Sequence, residues 1–182
     1  MTPTKVRVLE AAVELLGTEG LRSLTHARVD ERAGLPKGST SNYFRTRGQL
    51  VIGVNDWIGE RDLASANDIA RVPDTPADLV EGLAFAIEML TGPYRVITAA
   101  RLTLFMEANH NPEIRTAVSQ TRSVMELSVV DVMARLGAID PRSAALAVMA
   151  CSEGLILHRI ARHDTTDPRP LLRVVVDAAL PD

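Results

Sequence analysis

The chain has 182 residues, 46% hydrophobic, 24% charged and 3% aromatic, with a formal net charge of −3. Such a length suits one or two compact domains, and the composition is that of an ordinary soluble protein. The lone cysteine, Cys151, excludes an internal disulfide and a cysteine-rich metal site. It lies in an apolar stretch and is expected to be a small buried hydrophobe. No run of about 18 apolar residues is read as a membrane span. The N-terminus shows no signal-peptide core or cleavage pattern, so the cytoplasm is the expected location. The net charge hides an asymmetry. Residues 1–50 hold eight bases and five acids, whereas the remainder holds twelve arginines against eighteen acids. A basic head on an acidic body suits a polyanionic partner at one end only.

In chain order, the apolar spacing is helical almost throughout. Val6, Leu9, Val13 and Leu16 mark the first helix, near 4–18. Further helices are predicted near 25–33, 37–44, 47–70, 76–91, 94–110, 112–136, 141–163 and 168–180. The class is therefore all-α, with about nine helices. Four starts carry a capping residue before proline: Thr75-Pro76, Asn111-Pro112, Asp140-Pro141 and Asp167-Pro168. Proline loses nothing at the first helical position, and the preceding side chain accepts a bond from an orphan N–H. Gly20, Gly34, Gly92 and Gly137 mark stops.

The segment from Leu24 to Phe44 carries the functional signal. Thr25 is placed to cap a helix, with Leu24 and Val29 as a hydrophobic staple. Ala33-Gly34-Leu35 forms a turn of small residue, glycine and apolar plug. The short helix 37–44 that follows is too short to stand alone. It is expected to pack through Phe44 and Leu35 and to present small polar side chains. Such a surface suits a major groove about 12 Å wide.

Ala11-Ala12, Leu15-Leu16, Glu19-Gly20, Leu24-Thr25, Val29, Ala33-Gly34-Leu35, Gly38, Asn42-Tyr43-Phe44 and Arg47 to Leu50 together resemble the tetracycline-repressor-like (TetR) family of transcriptional regulators. The resemblance implies an N-terminal helix-turn-helix DNA-binding domain, 1–47, and a ligand-sensing and dimerisation domain, 48–182. By position it implies that Thr25, Tyr43 and Arg47 contact phosphates. Arg28, Lys37, Ser39, Thr40, Ser41 and Asn42 stand where bases or nearby phosphates are met. Pro36, Ser41 and Arg45 depart from the family's usual capping hydroxyl, aromatic and proline.

The C-terminal helices are apolar almost all round, from Ala144 to Ile160 and from Leu171 to Leu180. A helix without a polar face is buried on both sides. They are expected to form a homodimer as a four-helix bundle, so that double-stranded DNA with a pseudo-palindromic operator is the partner. The resemblance also implies an effector pocket. Its apolar candidates are Trp57, Phe85, Met89, Phe105, Met106 and Met125. Its polar candidates are Tyr94, Arg101, Asn109, Arg122, Glu126 and Glu153. Glu153 stands within an apolar helix, which calls for an arginine partner or a polar cavity. A repressor released by a small apolar or amphipathic effector is the expected function. An activator and a helical ligand carrier without DNA binding are the alternatives. No glycine-rich phosphate loop, His-x-x-x-His pair or nucleophile elbow points to an enzyme, and no metal, cofactor or membrane partner is expected.

Overall fold

The computed structural model describes residues 2–69 and 73–180, the side chains of 62–69 excepted. Among the described residues there are eight α-helices and no strand. They are α1 (Pro3–Glu19), α2 (His26–Arg32), α3 (Arg47–Ile69), α4 (Pro76–Thr91), α5 (Arg95–Glu107), α6 (Pro112–Arg135), α7 (Pro141–Ala161) and α8 (Arg169–Ala179). Two short 3-10 turns, Leu21–Ser23 and Thr40–Asn42, complete the order. Eight of the nine predicted helices are present; residue 70, the end of one predicted span, lies outside the described residues. The ninth, 37–44, is not an α-helix. It is a turn over 37–39 that leads into Thr40–Asn42.

The predicted caps explain where the helices begin. Thr75 and Asp78 form a reciprocal capping box, with both side chain–backbone bonds at 3.1 Å. Asn111 Oδ1 accepts the N–H groups of Glu113 and Ile114. Asp140 Oδ1 accepts that of Ser143. Asp167 Oδ1 accepts that of Arg169. Thr25 caps α2, as expected, and Thr2 caps α1 just before Pro3.

The chain forms two units, each with its own core. The first comprises Met1–Asp62 and Val96–Thr121. Its core joins Val8, Leu9, Leu15 and Leu16 of α1 to Leu50, Val54 and Trp57 of α3 and to Ala100 and Leu104 of α5. The staple residues Leu24 and Val29 are fully buried within it. At Gly17, α1 approaches α5 so closely that a Cβ would lie 2.1 Å from the Val96 carbonyl oxygen. Only glycine fits there.

The second unit comprises Leu63–Arg95 and Arg122–Asp182. Here α4, α7 and α8 pack on one another. Leu79, Val80, Ile87, Met133, Ala145, Val148, Leu172 and Val176 fill the core. Arg169 ties α8 to α4 through Glu81 at 2.9 Å and Glu88 at 2.8 Å. Arg95 donates to the carbonyls of Arg159 and Ile160, which satisfies the open end of α7.

Within its own chain α7 has one face covered. Ala144, Ala145, Val148 and Ile156 face the core, but Leu146, Ala147, Ala150 and Leu157 are exposed. On α8, Leu172 and Val176 are buried, while Leu171 and Val174 are exposed. By length and composition alone α7 is apolar enough to cross a membrane, with 22% of its most apolar 18-residue window buried, although Arg142, Glu153 and Arg159 interrupt its apolar run. Both results have one cause: a helix with apolar residues on two faces has only one face covered within its own chain.

Candidate nucleic-acid interface

The reading segment, Lys37 to Phe44, begins from the Ala33-Gly34-Leu35 turn. Gly34 has φ +60 and Gly38 φ +94, a left-handed region that favours glycine. The backbone bonds then run mostly at three-residue spacing: Asn42 N to Ser39 O, and Tyr43 N to Thr40 O. This spacing defines the tighter 3-10 turn. Within the first unit the segment is held from both ends. The Phe44 ring lies over Gly53 of α3, where a Cβ would come within 2.3 Å of it, and under Lys5 Nζ, 5.7 Å from its centroid. Phe44 is therefore seated by α3 and α1.

The start of the segment is held by Asp30, which is 3% exposed. Its Oδ1 accepts the backbone N–H and the hydroxyl of Thr40, at 2.7 and 2.6 Å. Its Oδ2 accepts the Gly38 N–H at 2.7 Å. Burial by itself would raise this carboxyl. The bonds from Thr40 and Gly38, with nearby His26, outweigh it and hold Asp30 below its ordinary 3.8. His26, four residues earlier on α2, donates from Nε2 to the Phe44 carbonyl at 2.6 Å. Neither residue figured among the expected site residues. The available signal was their i, i+4 spacing, which sets both on one face of α2.

The expected DNA contacts divide into three groups. Lys37, Ser41, Asn42 and Tyr43 are exposed on the segment. Tyr43 also pairs its hydroxyl with Thr2 Oγ1 at 3.3 Å. Ser39 is half-buried and donates to the Pro36 carbonyl. Thr40 is fully buried, so its expected place at the surface is corrected: its hydroxyl faces Asp30 instead. Thr25 and Arg28 are exposed on α2. Arg28 pairs with Glu19 at 2.6 Å rather than with its neighbours Asp30 or Glu31. Arg47 opens α3 as an exposed residue, and its guanidinium donates to the carbonyls of Leu24 and Leu21 at 3.1 and 2.7 Å. An open cleft of about 460 Å³ borders the segment and brings Lys5 and Arg45 beside Asn42 and Tyr43.

The effector candidates fall in both units. In the first, Trp57 is buried beneath the Arg61 guanidinium, 4.2 Å from its ring. Arg101 is half-buried, whereas Phe105, Met106 and Asn109 are exposed. In the second, Met89, Arg122, Met125 and Glu126 are half-buried, and Phe85 and Tyr94 are exposed. Glu153 has an arginine partner, Arg122. Glu126 lies 3.6 Å from Arg142.

An all-helical chain with a helix-turn-helix whose reading segment projects small polar side chains belongs to the class of DNA-binding transcriptional regulators. Residues 8–54 match the family model of bacterial regulatory proteins of the tetR family, and residues 74–182 match that of the tetracyclin repressor-like C-terminal domain. The chain belongs to the TetR family. No protein of curated function matches it. The fold is that of several solved structures. A TetR transcription regulator from Haloarcula marismortui has TM-score 0.85 at 16% identity, covering 100% of each chain. A transcriptional regulator from Rhodococcus sp. Rha1 has TM-score 0.81 at 18% identity, covering 98% of this chain and 96% of the other. The regulator FadR from Bacillus subtilis, in complex with stearoyl-CoA, has TM-score 0.75 at 15% identity, covering 97% of each.

Proposed function

We propose that this chain is a homodimeric repressor in the cytoplasm, bound to a pseudo-palindromic operator and released by a small apolar or amphipathic effector. The observation that carries the reading is the segment from Lys37 to Tyr43, which presents Lys37, Ser41, Asn42 and Tyr43 from a turn fixed at both ends. Lysine pairs with guanine O6/N7, asparagine with adenine N6/N7, and hydroxyls with either partner type. Thr25, Arg28 and Arg47, with Lys5 and Arg45, border that segment as phosphate contacts, and Ser39 and Tyr43 within it add hydroxyls. In this reading residues 1–47 supply the DNA contacts, and 48–182 supply sensing and pairing.

The exposed Leu146 and Leu157 of α7, with Leu171 and Val174 of α8, support pairing with a second copy. A two-fold interface uses the same patch on both partners. Two reading segments then meet half-sites about one DNA turn, ~34 Å, apart. The stearoyl-CoA complex of a protein with this fold supports an amphipathic effector. The second-unit candidates Phe85, Met89, Tyr94, Arg122, Met125, Glu126 and Glu153 are the residues proposed to meet it. The effector acts by binding better to a conformer in which the two heads are wrongly spaced.

Selection from duplexes with a randomised core tests the reading, followed by titration of an enriched duplex at several salt concentrations. Affinity is expected to fall steeply with salt, with a slope of about −0.9 for each phosphate neutralised. A chain that binds no duplex even in dilute buffer overturns the reading. Sedimentation tests the pairing: the double change Leu157→Glu, Val174→Glu is expected to leave a helical monomer, and a wild-type monomer overturns it.

A further inference from the structure

We infer that the pair His26 and Asp30 on α2 positions the base-reading segment, so that the conformation which reads sequence is set by side chains that touch no DNA. The inference rests on the DNA-binding reading above and deepens it.

The reading segment has little structure of its own. It is a turn and a single 3-10 turn rather than an α-helix. One turn of helix has no independent stability. What fixes it is external. Asp30 takes three donors from the start of the segment: Gly38 N–H, Thr40 N–H and Thr40 Oγ1–H, all within 2.7 Å. His26 donates to the carbonyl of Phe44, at its far end. The outward residues Ser41 and Asn42 lie between these fixed points. A carboxylate accepts all three donors at once, because both its oxygens are acceptors only. An amide of the same shape has a single oxygen. In Asp30→Asn, one face of the side chain would turn an N–H toward a backbone N–H, and a buried donor would lose its partner. The outward side chains would keep their identity and lose their placement.

Phosphate contacts and base contacts respond differently to such a loss. Phosphate contacts set affinity for any duplex, whereas base contacts set preference. The readout is therefore the ratio of affinity for a duplex enriched by the wild-type protein to affinity for the same duplex with a scrambled core. The ratio is expected to drop about tenfold in Asp30→Asn and in Thr40→Val. Affinity for the scrambled duplex stays within about twofold. Thr40→Ser retains the hydroxyl bond and is expected to keep the wild-type ratio. The double change Asp30→Asn, Thr40→Val is expected to cost little more than either alone, because the two groups act as one contact. Thermal unfolding of each variant accompanies the titrations. If Asp30→Asn fails to fold, the Thr40→Val and Thr40→Ser pair decides. A wild-type ratio in Thr40→Val overturns the inference, as does equal loss in Thr40→Ser. Parallel loss on enriched and scrambled duplexes overturns it too, since general damage to the head would do that. A wild-type protein that enriches no sequence overturns the DNA-binding reading instead, so the two failures are distinct.

Discussion

The reading segment and the α7–α8 pair hold their outward side chains by opposite means. The reading segment is short and polar, and it is held by directed bonds from Asp30 and His26. Each of those bonds has one geometry, so the segment has one conformation. The α7 and α8 helices are long, at 21 and 11 residues, and are held by apolar packing around Val148, Leu172 and Val176. Packing is non-directional and scales with area. It leaves Leu157 and Val174 outward and exposed. The contrast teaches that directed bonds suit a surface that must discriminate, and apolar area suits one that must adhere.

Four substitutions break or sharpen this contrast. The largest effect is expected at Leu172→Ala, which opens a cavity at a fully buried site of the second unit. A loss of about 3 kcal/mol in denaturant unfolding is expected. Gly53→Ala comes next. Its Cβ would press on the Phe44 ring, and a cost of about 2 kcal/mol is expected, confined to the first unit. Asp30→Asn should cost about 1.5 kcal/mol at neutral pH, from an unpaired buried donor. Its pH dependence has a definite sign. The folded carboxyl lies below its ordinary 3.8, so its contribution is present above that value and is lost as pH falls through the folded one. The gap between wild type and Asp30→Asn should thus be present at about pH 5 and close in acid. The smallest effect is expected at Arg28→Ala, because its Glu19 partner is half-exposed. The salt slope of duplex binding should fall by about 0.9, as the loss of one phosphate contact requires; an unchanged slope would leave Arg28 as a partner of Glu19 alone.

Helix positions were legible because their signals are local. Thr75-Pro76 with Asp78, and Asn111-Pro112, name their own first turns without reference to the rest of the chain. The two-faced apolar pattern of α7 was legible as well, although pattern alone does not say which face its own chain covers. The reading segment was not. Lys37 to Phe44 has helical length and spacing, yet its N–H groups at Gly38 and Thr40 are drawn to a carboxylate eight and ten residues earlier. That choice between a backbone acceptor and a distant side chain is tertiary. For the same reason Thr40 reads from sequence as a surface hydroxyl, although its hydroxyl is buried against Asp30. Arg28 and Arg47 read from sequence as DNA contacts, whereas their partners within the chain, Glu19 and the Leu21 and Leu24 carbonyls, come from other elements and leave no local signal.

The anchoring of Gly38, Thr40 and Phe44 has a consequence for how such a protein diversifies. The side chains at the outward positions 37, 41 and 42 take no part in the bonds from Asp30 and His26 that fix the segment's shape. They form an exchangeable alphabet on a fixed frame. Under the proposed reading, new operator preferences are reachable by single replacements there, each without a matching repair elsewhere in the fold.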